Sequence, residues 1–401
     1  MMAAASLRRG SAPAATRSLR QGARCSHRSR ISLASAAAAA PHRGIITEAS
    51  RTIGLNEDQL AFQEMADAFG QEQLAPHAEE WDQHKIFPKD VLREAAALGF
   101  GGIFTDPEYG GTGLQRLDGV VIFEALARGC TSTTSYLTIH NMCGWMIDTF
   151  GNDEQKARWL PDLCSMELFT SYCLTEPNSG SDAGSLSTTA VRDGDDFILN
   201  GSKAFISGAS QTDLLLVMAR TGTQDDRAAG VTCFVVPADT PGLSYGAQER
   251  KMGWNSQPTA AVIMEDCRIP AANMLGGEGE GFKLAMAGLD GGRLSIGSCS
   301  IGAAQASFDM ARDHLGVRHQ FVSPLRNPPL RVISRSFLTD CLLLQGKPLS
   351  ANQALQFKLA DMQAQLHIGR SIVRQAAVAM DEKNPDTTAY IYQQPPAACD
   401  V

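Results

Sequence analysis

The chain has no CxxC pair, although ten cysteines are scattered between Cys25 and Cys399. That absence excludes zinc ribbons and, with the wide scatter, argues against a disulfide framework. Reduced, mostly buried thiols and no metal site are expected. Acidic residues are missing from the first 47 positions, which hold Arg8, Arg9, Arg17, Arg20, Arg24, Arg28, Arg30 and Arg43. Removing those eight charges from the overall net charge of −8 leaves −16. An acid-free, Arg-, Ala- and Ser-rich leader over residues 1–47 reads as a mitochondrial transit peptide, which places the mature chain in the matrix. The alternative, a basic arm for nucleic acid, conflicts with an acidic remainder that repels phosphate, so no nucleic-acid partner is expected. No membrane span is expected either, because the apolar run from Ile31 to Ala40 is too short to cross a bilayer.

What is present is enough chain for two or three domains: 401 residues, 44% of them hydrophobic. Asn56 can cap a helix in which Phe62, Met65, Ala66 and Phe69 share one face. A second helix has Pro88 in its first turn, buries Val91, Leu92, Ala95 and Leu98, and stops at Gly99. Helical text continues to Leu163, which makes residues 51–170 an all-α domain. From Ser171 the period changes. VRDGDDFILNGSKAFISG carries Asp-Gly and Asn-Gly turn signals, and DLLLVMART, VTCFVVP and AAVIMED read as strands, so residues 171–280 form an antiparallel β domain. Helical text returns over residues 281–383 as part of a bundle. Its second helix, from Asn352, aligns Leu355, Leu359, Met362, Leu366, Val373, Ala376 and Met380 in one stripe that needs partner helices.

The loop SYCLTEPNSGSDAGS, Ser171 to Ser185, is the candidate site. It has no GK[ST], so it is not a Walker A loop, and no GxGxxG after a strand, so it is not a dinucleotide fingerprint. Its backbone N–H groups and hydroxyls, without a lysine, suit an acceptor-rich planar heterocycle or a pyrophosphate; an ordinary turn with Asx and Ser caps remains the other reading.

SYCLTEPNSGSD followed by KAFISG, GLDGGR and RHQF resembles the acyl-CoA dehydrogenase family of flavoproteins, over about Leu55 to Lys383. FEALARGCTSTTSYLTIHNMCGWMID and KMGWNSQPT are similar to the members that act on isobutyryl-CoA in valine breakdown. The resemblance implies FAD as cofactor, an electron-transfer flavoprotein as electron acceptor, a homotetramer, and α,β-dehydrogenation of a short branched-chain acyl-CoA. It implies that Tyr172, Cys173, Leu174 and Thr175 line one side of the flavin ring, and that Phe205, Ile206 and Ser207 close the other. Ser181 would reach the FAD pyrophosphate or the CoA chain, and Asp290, Gly291, Gly292 and Arg293 would border the acyl-CoA channel. Arg318, Asn352 and Gln353 would meet the FAD of a neighbouring subunit.

The chain departs from that pattern in two places. Family members supply the proton-abstracting base as a glutamate in text like LEGSNE, after a QMHGGxGY segment, or on the first bundle helix in text like LDxER. Neither of the first two motifs occurs, and Gly292 stands at the alternative glutamate position. No catalytic base is therefore assigned, and Asp290 is the nearest acid to that position, one turn off and short. Secondly, 24 residues, Val322 to Gln345, interrupt the family text. Val-Ser can be written GTAAGT and Leu-Gln CTGCAG, so an in-frame retained intron is one origin and a genuine loop the other; transcript sequencing across the junction separates them. Residues 384–401 read as an aberrant tail. The expectation is an acyl-CoA dehydrogenase by descent whose chain is inactive, with tetramer assembly in doubt. The alternative is a non-catalytic splice isoform that binds FAD or acyl-CoA weakly or interferes with oligomer assembly.

Overall fold

The computed structural model describes residues 49–320 and 347–392. The leader, the segment 322–345 and the last part of the tail lie outside the described residues.

The N-terminal part is helical: α1 (Ala49–Thr52), α2 (Glu57–Phe69), α3 (Ala78–His84), α4 (Lys89–Ala97), α5 (Arg116–Ala127), α6 (Thr131–Phe150) and α7 (Asp153–Cys164). Asn56 starts α2 as its sequence suggests. Its Oδ1 accepts from the Gln59 backbone N–H at 2.8 Å, and Gln59 Oε1 accepts from the Asn56 N–H at 3.1 Å, which closes a capping box. Leu98 corrects the sequence reading: α4 ends at Ala97, so Leu98 sits at the cap and is 42% exposed, while Val91 is only half-buried. Gly99, with φ of +88°, then turns the chain away.

Eight strands follow: β1 (Thr170–Cys173), β2 (Thr189–Asp193), β3 (Asp196–Ser207), β4 (Leu214–Arg220), β5 (Val231–Pro237), β6 (Leu243–Tyr245), β7 (Thr259–Pro270) and β8 (Met274–Leu275). They form one sheet in the order β6-β7-β3-β2-β4-β5-β8, with β1 paired to β4. Pairing is mainly antiparallel, as the alternating text suggests, but β1 and β2 each meet β4 in parallel. The Asp193–Gly194 signal is a hairpin turn between β2 and β3. Asn200–Gly201, read from sequence as a second turn, is instead a bulge inside the unbroken β3, where Gly201 at φ +153° presses against Thr188. A second irregularity, between Lys203 and Ile206, puts Phe205 at φ +58° and sends its ring outward, 66% exposed.

The sheet has two apolar faces. Leu214, Leu216, Met218, Cys233 and Val235 pack on α6 and α7, whereas Leu215, Val217, Phe234, Phe197, Leu199 and Val262 fill a separate core within the sheet. The described residues of the C-terminal part form α8 (Gly281–Val317), α9 (Gln353–Asp381) and a short α10 (Thr387–Tyr392). Asn352 caps α9 through Oδ1, which accepts from the Ala354 N–H at 2.9 Å. The α9 stripe is buried only in its second half. Leu366, Val373 and Ala376 join Phe308 and Ile391 in a core, Leu355 and Leu359 are half-buried, and Met362 is exposed. Inside the bundle Arg370 Nε donates to Glu124 Oε1 at 2.8 Å and Arg370 Nη2 to Gln305 Oε1 at 2.9 Å, so the buried charge is paired.

The seven described cysteines are all buried and unpaired. Among the described residues no helix is long and apolar enough to cross a membrane, and no cluster of His, Cys, Asp and Glu could hold a metal ion.

Candidate functional site

A cavity of about 520 Å³ lies where α6, β1, β3 and α8 converge. Its walls come from Ser135, Thr138, Ile139 and Met142 on α6, Tyr172 on β1, and Leu174, Thr175, Gly180, Ser181 and Ala183 in the loop that follows. Phe205, Ile206 and Ser207 close it from β3, Trp254 and Gln257 from the loop before β7, and Phe282, Met286, Leu289, Gly292, Arg293 and Ile296 from α8. The volume falls in the range of small-molecule sites, and the walls are mostly apolar with a few convergent polar groups.

The loop keeps its shape through a group that the sequence reading did not single out. Lys203, on β3, points inward and donates to Glu176 Oε1 at 2.7 Å and to the Leu174 carbonyl at 3.2 Å. Glu176 also accepts at 2.7 Å from both the Ser187 N–H and its hydroxyl, and at 3.0 Å from the Thr188 N–H. Burial by itself would raise the Glu176 carboxyl, but Lys203 and these donors outweigh it and hold the group at about 2. The Ala204 N–H donates to the Thr175 carbonyl at 2.8 Å, so SYCLTEP and KAFISG are joined at backbone and side chain alike. The signal available in the sequence was a lone lysine ahead of the apolar Ala204, Phe205 and Ile206 of a strand and a lone glutamate in a loop of mostly small residues. Buried charges of that kind require a partner.

Other contacts fix the walls. Ser171 Oγ donates to the Ser207 carbonyl at 2.7 Å, and the Tyr172 hydroxyl donates to the Ala285 carbonyl at 3.3 Å, which ties β1 to β3 and to α8. Burial pushes the Tyr172 phenol well above its usual range, so it stays a neutral donor.

Tyr172, Leu174, Thr175, Ser181, Phe205, Ile206, Ser207, Gly292 and Arg293 thus share one cavity. The remaining candidates lie elsewhere. Cys173 turns to the opposite face of β1, into the inner core of the sheet, because successive strand residues alternate. Asp290 is absent from the lining and accepts from Arg293 Nη1 at 2.8 Å. Gly291 faces away, where a Cβ would come within 2.6 Å of Arg116 Nη1. That guanidinium is buried over the rings of Phe104 (4.2 Å) and Trp145 (4.5 Å), and burial lowers it to about 10. Arg318 follows the end of α8, Asn352 caps α9, and Gln353 begins it, all outside this lining. Among the described residues no aspartate or glutamate lines the cavity.

Residues 56–167, 171–267 and 279–331 with 343–394 match the N-terminal, middle and C-terminal domains of acyl-CoA dehydrogenases in turn. The last match breaks only between 331 and 343, so it includes residues 322–331 and 343–345 of the segment expected to interrupt the family text, and it reaches residue 394 of the tail. The chain is 52% identical to the mitochondrial isobutyryl-CoA dehydrogenase of Bos taurus over 344 residues, 86% of this chain and 76% of that protein. It is 50% identical to the Dictyostelium discoideum enzyme of the same name over 349 residues, 87% and 78% of the two chains. The butyryl-CoA dehydrogenase structure from Megasphaera elsdenii superposes with a TM-score of 0.77 at 33% identity, covering 86% of this chain and 85% of that one. With all three domains matched in order and half the aligned residues shared with two relatives, the chain belongs to the acyl-CoA dehydrogenase family.

Proposed function

We propose that this chain binds FAD and a short branched-chain acyl-CoA, isobutyryl-CoA foremost, in the cavity between α6, the 171–185 loop, β3 and α8, and that the site is laid out for α,β-dehydrogenation of the thioester in valine breakdown. The observation that carries this reading is the cavity itself. Its apolar walls suit a planar ring, and Gln257, a lining residue 5% exposed, has a buried Oε1 without a hydrogen-bond partner among the described residues. The names of the two relatives at 50–52% identity support the substrate. FAD, when bound, supplies the hydride acceptor.

The chain's own residues hold and orient. Tyr172, Leu174 and Thr175 border one side of the ring site and Ile206 and Ser207 the other, with Phe205 at the rim. Ser181 supplies a hydroxyl for phosphate or the CoA chain, and Arg293, on the channel wall beside Gly292, supplies positive charge. The lining offers no carboxylate among the described residues, and Asp290 is engaged by Arg293. On this reading the described lining binds the acyl-CoA but does not take its α proton, which supports binding without turnover over an active dehydrogenase.

The same reading places the chain in the mitochondrial matrix, with an electron-transfer flavoprotein as redox partner and a homotetramer as assembly. Exposed Met310 and Val317 on α8, and Phe357 and Ile368 on α9, support self-association. Arg318, Asn352 and Gln353 then serve the flavin of a neighbouring subunit.

The visible spectrum of the purified chain before and after anaerobic isobutyryl-CoA tests the reading. A flavin band that shifts but does not bleach is expected. Bleaching would place an effective base outside the described lining, and absence of the band would remove the flavoprotein reading.

A further inference from the structure

The loop between β6 and β7 carries two cavity residues, Trp254 and Gln257, and is held from three sides. From within, the Lys251 ammonium donates to the carbonyls of Trp254 (2.6 Å) and Gln257 (2.5 Å) and to Thr259 Oγ1 (2.9 Å). From α3, the Asp82 carboxylate accepts from the Asn255 N–H at 2.7 Å and from Asn255 Nδ2 at 3.1 Å. From α6, Ser132 Oγ accepts from Ser256 Oγ at 2.6 Å. These anchors keep Trp254 at φ +57°, a conformation that a bulky side chain adopts only when its surroundings impose it. A loop constrained to this degree fixes what it presents.

It presents the Gln257 carboxamide. The Nε2 end donates to Ser207 Oγ, so the amide plane is set by the loop and by β3 together. The Oε1 end, in a side chain only 5% exposed, has no hydrogen-bond partner among the described residues. A buried carbonyl oxygen left unpaired is unfavourable, and native structures rarely keep one without a ligand or water to satisfy it.

We propose that Gln257 is a ligand-binding residue of this cavity, whose Oε1 accepts a hydrogen bond from an N–H or O–H of the bound molecule, with Lys251 holding the loop in the geometry that aims it. The inference rests on the proposed function, which names two sources for that donor. One is the flavin, through its imide N–H or ribityl hydroxyls; the other is the acyl-CoA, through a pantetheine amide N–H. The Nε2 bond to Ser207, which borders the ring site, places the flavin first.

The test is Gln257→Met in the full chain, which keeps the bulk and removes the acceptor together with the Nε2 donor. FAD is titrated into the flavin-free protein by fluorescence quenching, and isobutyryl-CoA into the flavin-loaded protein by its spectral perturbation. The variant is expected to bind one of the two about 5- to 150-fold more weakly and the other within about twofold. Its unliganded melting temperature is expected to fall slightly, because the Nε2 bond to Ser207 Oγ is lost together with the acceptor. Weakened FAD binding assigns the contact to the flavin, and weakened acyl-CoA binding assigns it to the thioester ligand. If both affinities match the unsubstituted chain, or if both fall alike, this inference is overturned while the proposed function stands. If the unsubstituted chain takes up neither ligand, the proposed function fails and this inference with it.

Discussion

Lys203 and Glu176 meet at 2.7 Å with side chains 0% and 3% exposed, which joins a strand of the β domain to the loop that walls the cavity. Neither charge has access to water, so each depends on the other and on the Ser187, Thr188 and Leu174 groups around them.

Lys203→Met therefore leaves a buried carboxylate without its cation. Breaking a buried pair in this way costs about 3–5 kcal/mol, and a lower urea midpoint measured by circular dichroism checks it. Replacing both residues by apolar ones should cost less than the two single changes together, because no orphaned charge remains. The pair also has an acid limb. Glu176 lies near 2 in the folded chain and near 4.5 when unfolded, so its stabilisation is complete above pH 4.5 and is lost as pH falls toward 2.

His140 sets an earlier acid response. Its Nε2 meets the Leu163 carbonyl at 2.9 Å, which makes Nε2 the protonated nitrogen, and Nδ1 then accepts from Thr170 Oγ1 at 3.3 Å. Burial lowers the ring from 6.5 to about 4. Below pH 6.5 the unfolded chain binds a proton that the folded chain refuses until about pH 4, so stability falls across that window and levels off beneath it. His140→Asn should flatten the slope between urea midpoints taken at pH 7.5, 5.5 and 4.5; an unchanged slope would contradict a buried neutral His140.

Two glycines of α8 should respond in opposite directions. A Cβ at Gly302 would lie 2.3 Å from the Glu124 carbonyl, whereas one at Gly316 meets nothing within 4 Å among the described residues. Gly302→Ala is expected to destabilise by about 1–3 kcal/mol through overpacking against α5. Gly316→Ala should stabilise by about 0.5–1 kcal/mol through helix propensity. Paired thermal melts decide it.

Gly292→Glu would place a carboxylate on the cavity wall, where the first obstacle to its Cβ is the flexible Met142 thioether, with Sδ at 3.1 Å. On the proposed function this variant should gain flavin bleaching by isobutyryl-CoA about 10²- to 10⁴-fold over the unsubstituted chain, the usual contribution of a placed base. Equal rates for the two proteins would mean that proton removal is not what the lining lacks.

Local signals were readable where the physics is local. Asn56 and Gln59 cap α2 within one turn, Asp193–Gly194 turns a hairpin, and the 3.6-residue periodicity of α9 needs only neighbours along the helix. The quoted stretches around Tyr172, Phe205 and Gly292 marked the residues that the fold brings to one cavity. Other features depend on distant chain. Asn200–Gly201 carries a turn's residue types, yet pairing with β7 keeps it inside a strand as a bulge. Cys173 and Tyr172 are adjacent in sequence, and only the placement of the sheet decides which one faces the cavity.

By itself, the sequence determined the three-part order of helices, sheet and helices, because hydrophobic period and capping residues act over a few positions. The tertiary structure alone decided that Lys203 neutralises Glu176, that Asp290 turns to Arg293 instead of the cavity, and that the Gln257 oxygen is buried without a partner among the described residues. Burial and pairing are relations between segments that no single stretch contains, and the free energy of a charged or polar group depends on what the rest of the chain places beside it.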